Sequence, residues 1–111
     1  MPYMEPVYNI LEKHHGKVIY FDFWARWCPP CLAEMEPLKQ LRSKYSTKDL
    51  VIYSICVSEP KEEWEECLNE YSLKNRGIEC IYASDYFGKD NLQKIRKQWK
   101  IDRMPYYLLI N

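Results

Sequence analysis

The sequence predicts a layered α/β fold with a mainly parallel sheet, and three observations lead to that prediction. Apolar runs of strand length alternate with amphipathic runs of helical length along the whole chain. The run Val18–Trp24 is nearly all apolar and aromatic, which is typical of a strand covered on both faces. The 111 residues contain no internal repeat, and 47% of them are hydrophobic. We therefore expect one core and a single domain over residues 1–111.

Four strands are predicted, each preceded by a helix. Val18–Trp24 is followed by a second buried run, Leu50–Val57, and by a shorter strand at Ile78–Ala83. A fourth strand, Tyr106–Ile110, begins after Pro105. This order of helix and strand, repeated four times, is the pattern that favours parallel pairing.

The first two predicted helices have distinct start and stop signals. Met4–His14 presents apolar residues on one face and ends before Gly16. The second helix begins at Pro30, whose preset φ suits a first helical turn, and continues with helical spacing to Tyr45. Pro37 lies inside it and removes one backbone hydrogen bond, so we expect a kink there.

The last two predicted helices follow the second and third strands. Ser58 is expected to cap a helix whose apolar residues recur at helical spacing from Trp64 to Tyr71. Gly77 is expected to close that helix. Leu92–Trp99 marks the fourth helix.

Charge balance and hydropathy exclude two classes of partner. Sixteen basic and sixteen acidic residues cancel, so no long-range field recruits nucleic acid. No apolar stretch approaches the ~20 residues of a membrane span, and the first residues lack the layout of a signal peptide. Any membrane anchor is therefore expected to lie outside this chain, and we expect a monomer or a weak dimer.

The most informative motif is the segment Trp24–Cys31, with the letters WARWCPPC, between the first strand and the second helix. It places two thiols two residues apart at a helix N-terminus. Unpaired backbone N–H groups and the positive end of the helix dipole favour a thiolate, so the pKa of Cys28 is expected to be low. We predict Cys28 as the exposed attacking thiolate and Cys31 as the more buried resolving thiol.

Half of a zinc site is the alternative interpretation of the same two cysteines. Zinc needs roughly four ligands, and no second closely spaced pair accompanies Cys28 and Cys31. His14 and His15 are the other ligand-like pair, and their place at a helix end makes them more simply an exposed capping pair. We predict no metal site and no cofactor.

Asp22 is a carboxylate inside an otherwise apolar strand. Burial penalises the charged form, so the pKa of Asp22 is expected to be raised. The alternative is a partly solvated strand residue with no chemical task, and unchanged kinetics of Asp22→Asn would support it.

Three groups of residues together resemble the thioredoxin superfamily: Asp22–Ala25 at a strand end, Trp27–Cys31, and Met104–Pro105 before a late strand. Within that superfamily, Leu32–Met35 and the extra helix and strand before the last helix resemble the TlpA/ResA-like thiol-disulfide oxidoreductases of bacterial cell envelopes. The similarity covers essentially the whole chain after the first helix. It implies a thioredoxin-like fold, with a mixed, mainly parallel sheet flanked by helices.

The resemblance also implies roles for individual residues. Asp22 matches the family's buried acid, and we hypothesise that it accepts the proton that activates Cys31. A cis peptide bond at Pro105 is implied, facing the two cysteines, with Met104 offering main-chain groups to an extended substrate. The residues expected to form the substrate-binding surface are Trp27, Pro29, Met104 and Pro105.

The chain departs from the family pattern in two places. The family's helix-kinking proline usually stands one residue earlier than Pro37, which leaves the position of the kink open. The family's sheet normally continues past the strand ending near Asn111 into a hairpin partner and a final helix. We therefore expect a truncated domain that lacks the last strand and helix, with an exposed edge that favours association.

The expected function is reduction or isomerisation of protein disulfides by Cys28 and Cys31. The expected partners are disulfide-containing proteins and an upstream thiol reductase, and the resemblance implies an exported protein of the periplasm or cell envelope. A thiol peroxidase would need Thr-x-x-Cys, whereas Ala25 stands in the place of the threonine. A non-catalytic thioredoxin-like binding module stays open as the other alternative, because of the expected truncation.

The remaining cysteines and one basic segment fall outside this scheme. Cys56 is expected to be a small, inert residue of a buried strand, and a Cys67–Cys80 disulfide is one open arrangement. The basic residues from Lys94 to Arg103 precede Met104 and are expected to form a solvated helix face, with attraction of an acidic partner as the alternative.

Overall fold

A four-stranded mixed sheet forms the centre of the molecule in a computed structural model that describes residues 1–111. The strands are β1 Val18–Trp24, β2 Leu50–Cys56, β3 Ile78–Tyr82 and β4 Tyr106–Ile110. Their spatial order is β3-β2-β1-β4. β2 pairs in parallel with β1 and β3, and β4 pairs antiparallel with β1. The predicted mixed, mainly parallel sheet is confirmed, and β1 and β4 have the predicted bounds.

Six α-helices and one short 3₁₀ turn surround this sheet. In chain order they are the 3₁₀ turn Pro2–Met4, α1 Glu5–Lys13, α2 Pro29–Ala33, α3 Met35–Lys44, α4 Lys61–Glu70, α5 Ala83–Phe87 and α6 Lys89–Gln98. None of them combines the length and the apolar character that a membrane span requires.

The side chains of the sheet alternate between two apolar layers, because successive residues of a strand point to opposite faces. Phe21 and Phe23 of β1 pack with residues of α1 and α6 in the larger cluster. Trp24 at the end of β1 belongs to a second cluster, which also contains residues of α2, α3 and α4. Full burial of each such large apolar side chain contributes about 1.5–3 kcal/mol. The second cluster contains Cys28 and Cys31 of the Trp24–Cys31 motif and is called the disulfide cluster below.

The predicted kink at Pro37 is a full break between α2 and α3. α2 ends at Ala33, Glu34 caps α3, and Pro37 is the third residue of α3. Proline has no N–H to give to the carbonyl group of Ala33, and its ring crowds that carbonyl, so a continuous helix is disfavoured. In the first turn of α3 its missing N–H would have had no intrahelical partner.

The predictions that Ser58 caps α4 and that Gly77 closes it were wrong. The helix begins at Lys61 after the N-cap residue Pro60, with no side-chain cap, because a proline biases the residue before it away from helical geometry and so disfavours an earlier start. Gly77, with φ +77°, lies immediately before β3, well beyond the end of α4.

The short helix α5 was not predicted, and its first residue was assigned to the third strand. It has only five residues, of which Ala83 and Phe87 are buried in the larger cluster. Such a short segment has too few residues for a helical period to be recognised in the sequence.

Candidate active site

The two cysteines of the motif lie at the start of α2. Cys28 is the N-cap residue with extended backbone geometry, and Cys31 is the third residue of the helix. The two form a disulfide with their Cα atoms 5.3 Å apart. The backbone N–H of Cys31 also donates to Cys28 Sγ at 3.3 Å. A helix N–H group therefore points at the sulfur that would carry the negative charge of a thiolate.

Both cysteines are enclosed in this oxidised form. Cys28 is 4% exposed and Cys31 is 2% exposed. The prediction of an exposed Cys28 is therefore wrong for the disulfide. The physical reason is that the Cys28 side chain is directed toward Cys31 and packs in the disulfide cluster, against which Met104 also packs.

Backbone and side-chain hydrogen bonds hold the loop that precedes Cys28. The carbonyl group of Trp24 accepts from Val57 N–H at 2.9 Å, and the hydroxyl group of Ser58 accepts from Arg26 N–H at 2.9 Å. The N–H of Cys28 donates to the carbonyl group of Ala25 at 3.1 Å. The loop is thus attached to the segment that follows β2.

The two tryptophans of the motif have different environments. Trp24 is fully buried, and its Nε1 donates to Ser54 Oγ at 2.9 Å. Trp27 is 68% exposed, and Pro29 is also exposed. Trp24 therefore belongs to the interior, whereas Trp27 and Pro29 form part of the surface around the disulfide.

Asp22 is buried and lines a cavity of about 120 Å³. Burial and, secondarily, the nearby Glu34 carboxylate raise the pKa of Asp22 to about 7. The predicted direction of this shift is confirmed. By strand alternation, Asp22 shares a face of β1 with Trp24, which is the face that carries the disulfide cluster. The other residues lining the cavity are Tyr20, Glu34, Pro37, Leu38, Leu41 and Tyr107.

Glu34 is the residue of this site that sequence reasoning did not single out. It follows Cys31 by three residues and occupies the N-cap position of α3 at the helix break, without a side-chain capping bond. Its spacing of one helical turn from Cys31 was an available signal. Its approach to Asp22 depends on how α3 packs on the sheet, which the spacing does not specify.

Met104 and Pro105 lie between α6 and β4. Their peptide bond is cis, and both residues are half-buried. Met104 packs against both the larger cluster and the disulfide cluster. The fold therefore brings a segment from the end of the chain to the cysteines of α2.

The other three cysteines are free thiols, so the open possibility of a Cys67–Cys80 disulfide is not realised. Burial raises the pKa of all three thiols, that of Cys80 to about 11. Cys56 and Cys67 belong to the disulfide cluster, and Cys80 packs against it. At neutral pH these groups are protonated thiols.

No group of three or more histidine, cysteine or acidic side chains is arranged to hold a metal ion. Of the predicted exposed capping pair, His14 is indeed the C-cap residue of α1, but the prediction that it is exposed was wrong. His14 is half-buried, and its Nε2 lies 2.9 Å from the hydroxyl group of Tyr53 on β2.

The fold and the cysteine pair define a class of protein. The model of the Thioredoxin-like family matches residues 16–111, and the chain belongs to that family.

Among characterised relatives, the chain is similar to thiol-disulfide oxidoreductase ResA of Oceanobacillus iheyensis, with 28% identity over 113 residues. That alignment covers 88% of this chain and 59% of the relative. ResA of Bacillus thuringiensis is 34% identical over 64 residues, which are 58% of this chain and 37% of that protein. The chain therefore spans less than two thirds of the length of these relatives.

Solved structures share the fold. The thioredoxin domain of a thiol-disulfide oxidoreductase from Bacteroides vulgatus aligns with a TM-score of 0.73 and 21% identity, covering 91% of this chain and 67% of that one. DsbF of Mycobacterium tuberculosis aligns with a TM-score of 0.70 and 20% identity, covering 90% and 66%. At these identities the likeness shows the fold alone, and it confirms the predicted thioredoxin-like architecture.

Proposed function

We propose that this protein reduces or isomerises disulfides of other proteins by thiol-disulfide exchange at Cys28 and Cys31. The observation that supports this most directly is the Cys28–Cys31 disulfide at the start of α2, with the Cys31 N–H directed at Cys28 Sγ. The same N–H would stabilise a Cys28 thiolate after reduction. The cysteine chemistry itself requires no cofactor.

The first half of the reaction is attack by the Cys28 thiolate on a substrate disulfide. A bond forms between Cys28 Sγ and one substrate sulfur while the substrate S–S bond breaks. The second substrate sulfur leaves as a thiolate and takes a proton. The product is a mixed disulfide between the protein and its substrate.

The second half is attack by Cys31 on Cys28 Sγ. The mixed disulfide breaks, the remaining substrate sulfur leaves as a thiolate, and the Cys28–Cys31 disulfide forms. The substrate has gained two electrons and the protein has lost two. A thiol reductase as partner would return the protein to its dithiol form.

Asp22 is proposed as the acceptor of the proton that Cys31 loses in this second half. With a pKa of about 7, its carboxyl group is partly ionised at neutral pH and can both take and release a proton. The cavity that contains Asp22 is also lined by Glu34, three residues after Cys31. A water molecule in this cavity would carry the proton from Cys31 to the carboxylate of Asp22.

The substrate is proposed to lie against the surface formed by Trp27, Pro29, Met104 and Pro105. Exposed Trp27 offers a large apolar contact, and aromatic side chains of this kind contribute strongly to protein recognition. Met104 adds a flexible apolar side chain next to the disulfide cluster. On the family resemblance, the protein acts outside the cytoplasm, in the periplasm or cell envelope.

A trapping experiment tests this function. The variant Cys31→Ser, reduced and mixed with a disulfide-bonded protein such as insulin, should accumulate a mixed disulfide through Cys28 that is visible by non-reducing electrophoresis and mass spectrometry. Cys80→Ser is the matched control, because it removes a free thiol outside the pair and should release reduced substrate like the unaltered protein. Absence of any trapped species with Cys31→Ser would contradict the proposal and favour a binding module.

A further inference from the structure

Three side chains at alternate positions, Ser54, Cys56 and Ser58, form a buried stripe along the end of β2 and the residues after it. Alternate residues of an extended segment share one face. Here that face carries the disulfide cluster, of which Cys56 is a member. The stripe therefore lies beneath the segment that contains the redox pair.

The two serines of this stripe bond two residues of the Trp24–Cys31 segment that precede the redox pair. Ser54 Oγ accepts from Trp24 Nε1 at 2.9 Å, and Ser58 Oγ accepts from the backbone N–H of Arg26 at 2.9 Å. The second bond is the more direct constraint on the redox pair, since Arg26 lies two residues before Cys28 and Ser58 is only 8% exposed. A buried side-chain acceptor with a single backbone partner restricts where that backbone can lie.

Cys56 gives the Ser58 hydroxyl group a second contact. Its Sγ lies 3.4 Å from Ser58 Oγ. Either group can donate the hydrogen of this contact, and Cys56 Sγ also lies 3.8 Å from the carbonyl oxygen of Ser58. The Ser58 hydroxyl group therefore lies between Arg26 N–H and Cys56 Sγ.

We propose that Ser58 is a positioning residue for Cys28, whose hydroxyl group holds the Ala25–Cys28 turn so that Cys28 Sγ faces the N–H of Cys31. The connection is short, since Arg26 is bonded to Ser58 and Cys28 N–H is bonded to the carbonyl group of Ala25. A displacement of Arg26 therefore moves Cys28 relative to α2. The biological role of the Ser58–Arg26 hydrogen bond rests on the proposed function, whereas its physical effect is on the reactivity of the Cys28 thiol.

The reactivity of Cys28 in the reduced protein tests the proposal without any protein substrate. The rate of alkylation by iodoacetamide, followed by mass spectrometry across pH, reports the fraction of Cys28 that is thiolate. Ser58→Ala is expected to lower that rate at pH 7 by about two- to tenfold, the factor that one lost hydrogen bond provides. It should also move the pH midpoint of alkylation upward and shift the equilibrium with glutathione toward the protein disulfide, because a thiolate favours the dithiol form.

Two comparisons separate positioning from a general loss of stability. Ser46→Ala removes an exposed bond with the same donor and acceptor groups, in which Ser46 Oγ accepts from Lys48 N–H at 3.0 Å in the turn before β2, and it should leave alkylation unchanged. Ser58→Thr and Ser58→Val differ in one hydroxyl group at nearly equal volume, so the threonine variant should retain the reactivity that the valine variant loses.

Equal alkylation profiles for Ser58→Ala and the unaltered protein, or for the threonine and valine variants, would overturn the assignment of Ser58. Such a result would leave the trapping experiment with Cys31→Ser unaffected. Conversely, a protein that fails to trap a substrate would still give a clear result for Ser58.

Discussion

Asp22 and Tyr107 are direct register partners across the antiparallel pair of β1 and β4. They also line the same cavity. Tyr107 is 40% exposed at the edge of the sheet, whereas Asp22 is buried. Burial and the Asp22 charge raise the pKa of Tyr107 to about 12, so its hydroxyl group stays protonated. The buried carboxyl group of Asp22 is thus separated from the solvent by the partly exposed side chain of Tyr107. It can therefore exchange its proton with the solvent as the pH changes.

The first prediction concerns stability against pH. The pKa of Asp22 in the folded protein, about 7, lies far above the ordinary value of about 3.9. The folded state therefore binds the proton more tightly, and stability is lost as the pH rises from about 4 through 7. Between pH 5 and pH 7 the free energy of unfolding should fall by about 2–3 kcal/mol through this group.

Urea unfolding of the unaltered protein and of Asp22→Asn at both pH values measures this effect. Asp22→Asn should not show this fall in the free energy of unfolding between the two pH values. The difference between the two proteins is then the contribution of Asp22. His14 contributes equally to both proteins, since burial lowers its pKa in each. Parallel pH profiles for the two proteins would refute the raised pKa.

The second prediction concerns the resolving step. Asp22→Asn removes the proposed proton acceptor for Cys31 but leaves the Cys31 N–H at Cys28 Sγ in place. The release of substrate from the mixed disulfide should therefore slow by on the order of 10²-fold, the usual contribution of a general base, while its formation keeps its rate. Stopped-flow kinetics of the formation and the resolution of the mixed disulfide measure both rates. An unchanged release rate would show that Asp22 is not the proton acceptor.

The third prediction contrasts the two tryptophans. Trp24→Ala empties a fully buried site and should reduce the free energy of unfolding by about 3–5 kcal/mol. Trp27→Ala changes an exposed side chain and should alter stability by less than about 0.5 kcal/mol. If Trp27 contacts protein substrates, its variant should lower kcat/KM for a protein disulfide roughly tenfold. The rate with a small aromatic disulfide should stay the same, and an equal loss for both substrates would exclude a docking role.

The fourth prediction concerns the bond between Trp24 Nε1 and Ser54 Oγ. Ser54→Ala leaves a buried indole N–H without its acceptor, which should reduce the free energy of unfolding by about 1–3 kcal/mol. Ser84→Ala is the control, because that hydroxyl group donates to Glu59 at 3.5 Å in an exposed position, away from Trp24. Chemical unfolding of both variants provides the test. Equal losses of unfolding free energy would show that the bond between Trp24 Nε1 and Ser54 Oγ stabilises the protein no more than a surface contact does.

The elements that sequence reasoning predicted well have strong local signals. β1 is apolar and aromatic apart from Asp22, and Pro105 marks the start of β4, so their bounds follow from local chemistry. The two cysteines lie at a helix start because Pro29 and Pro30 suit a first turn. The raised pKa of Asp22 follows from placing a carboxylate in such a strand.

The elements that were predicted wrongly depend on partners far away in sequence. Ser58 has the residue type of a helix cap, yet its hydroxyl group bonds Arg26. No local pattern in the chain indicates this contact, because Arg26 and Ser58 are 32 residues apart.

By itself, the sequence determined the order of the four strands and of the longer helical segments between them, and the presence of a dithiol at a helix start, because periodicity and local backbone preferences act over a few residues. Only the tertiary structure decided the enclosure of Cys28, the approach of Glu34 to Asp22 and the packing of Met104 beside the disulfide. These three features depend on how the helices pack on the two faces of the sheet. That packing brings segments that are distant along the chain into contact through burial and hydrogen bonds.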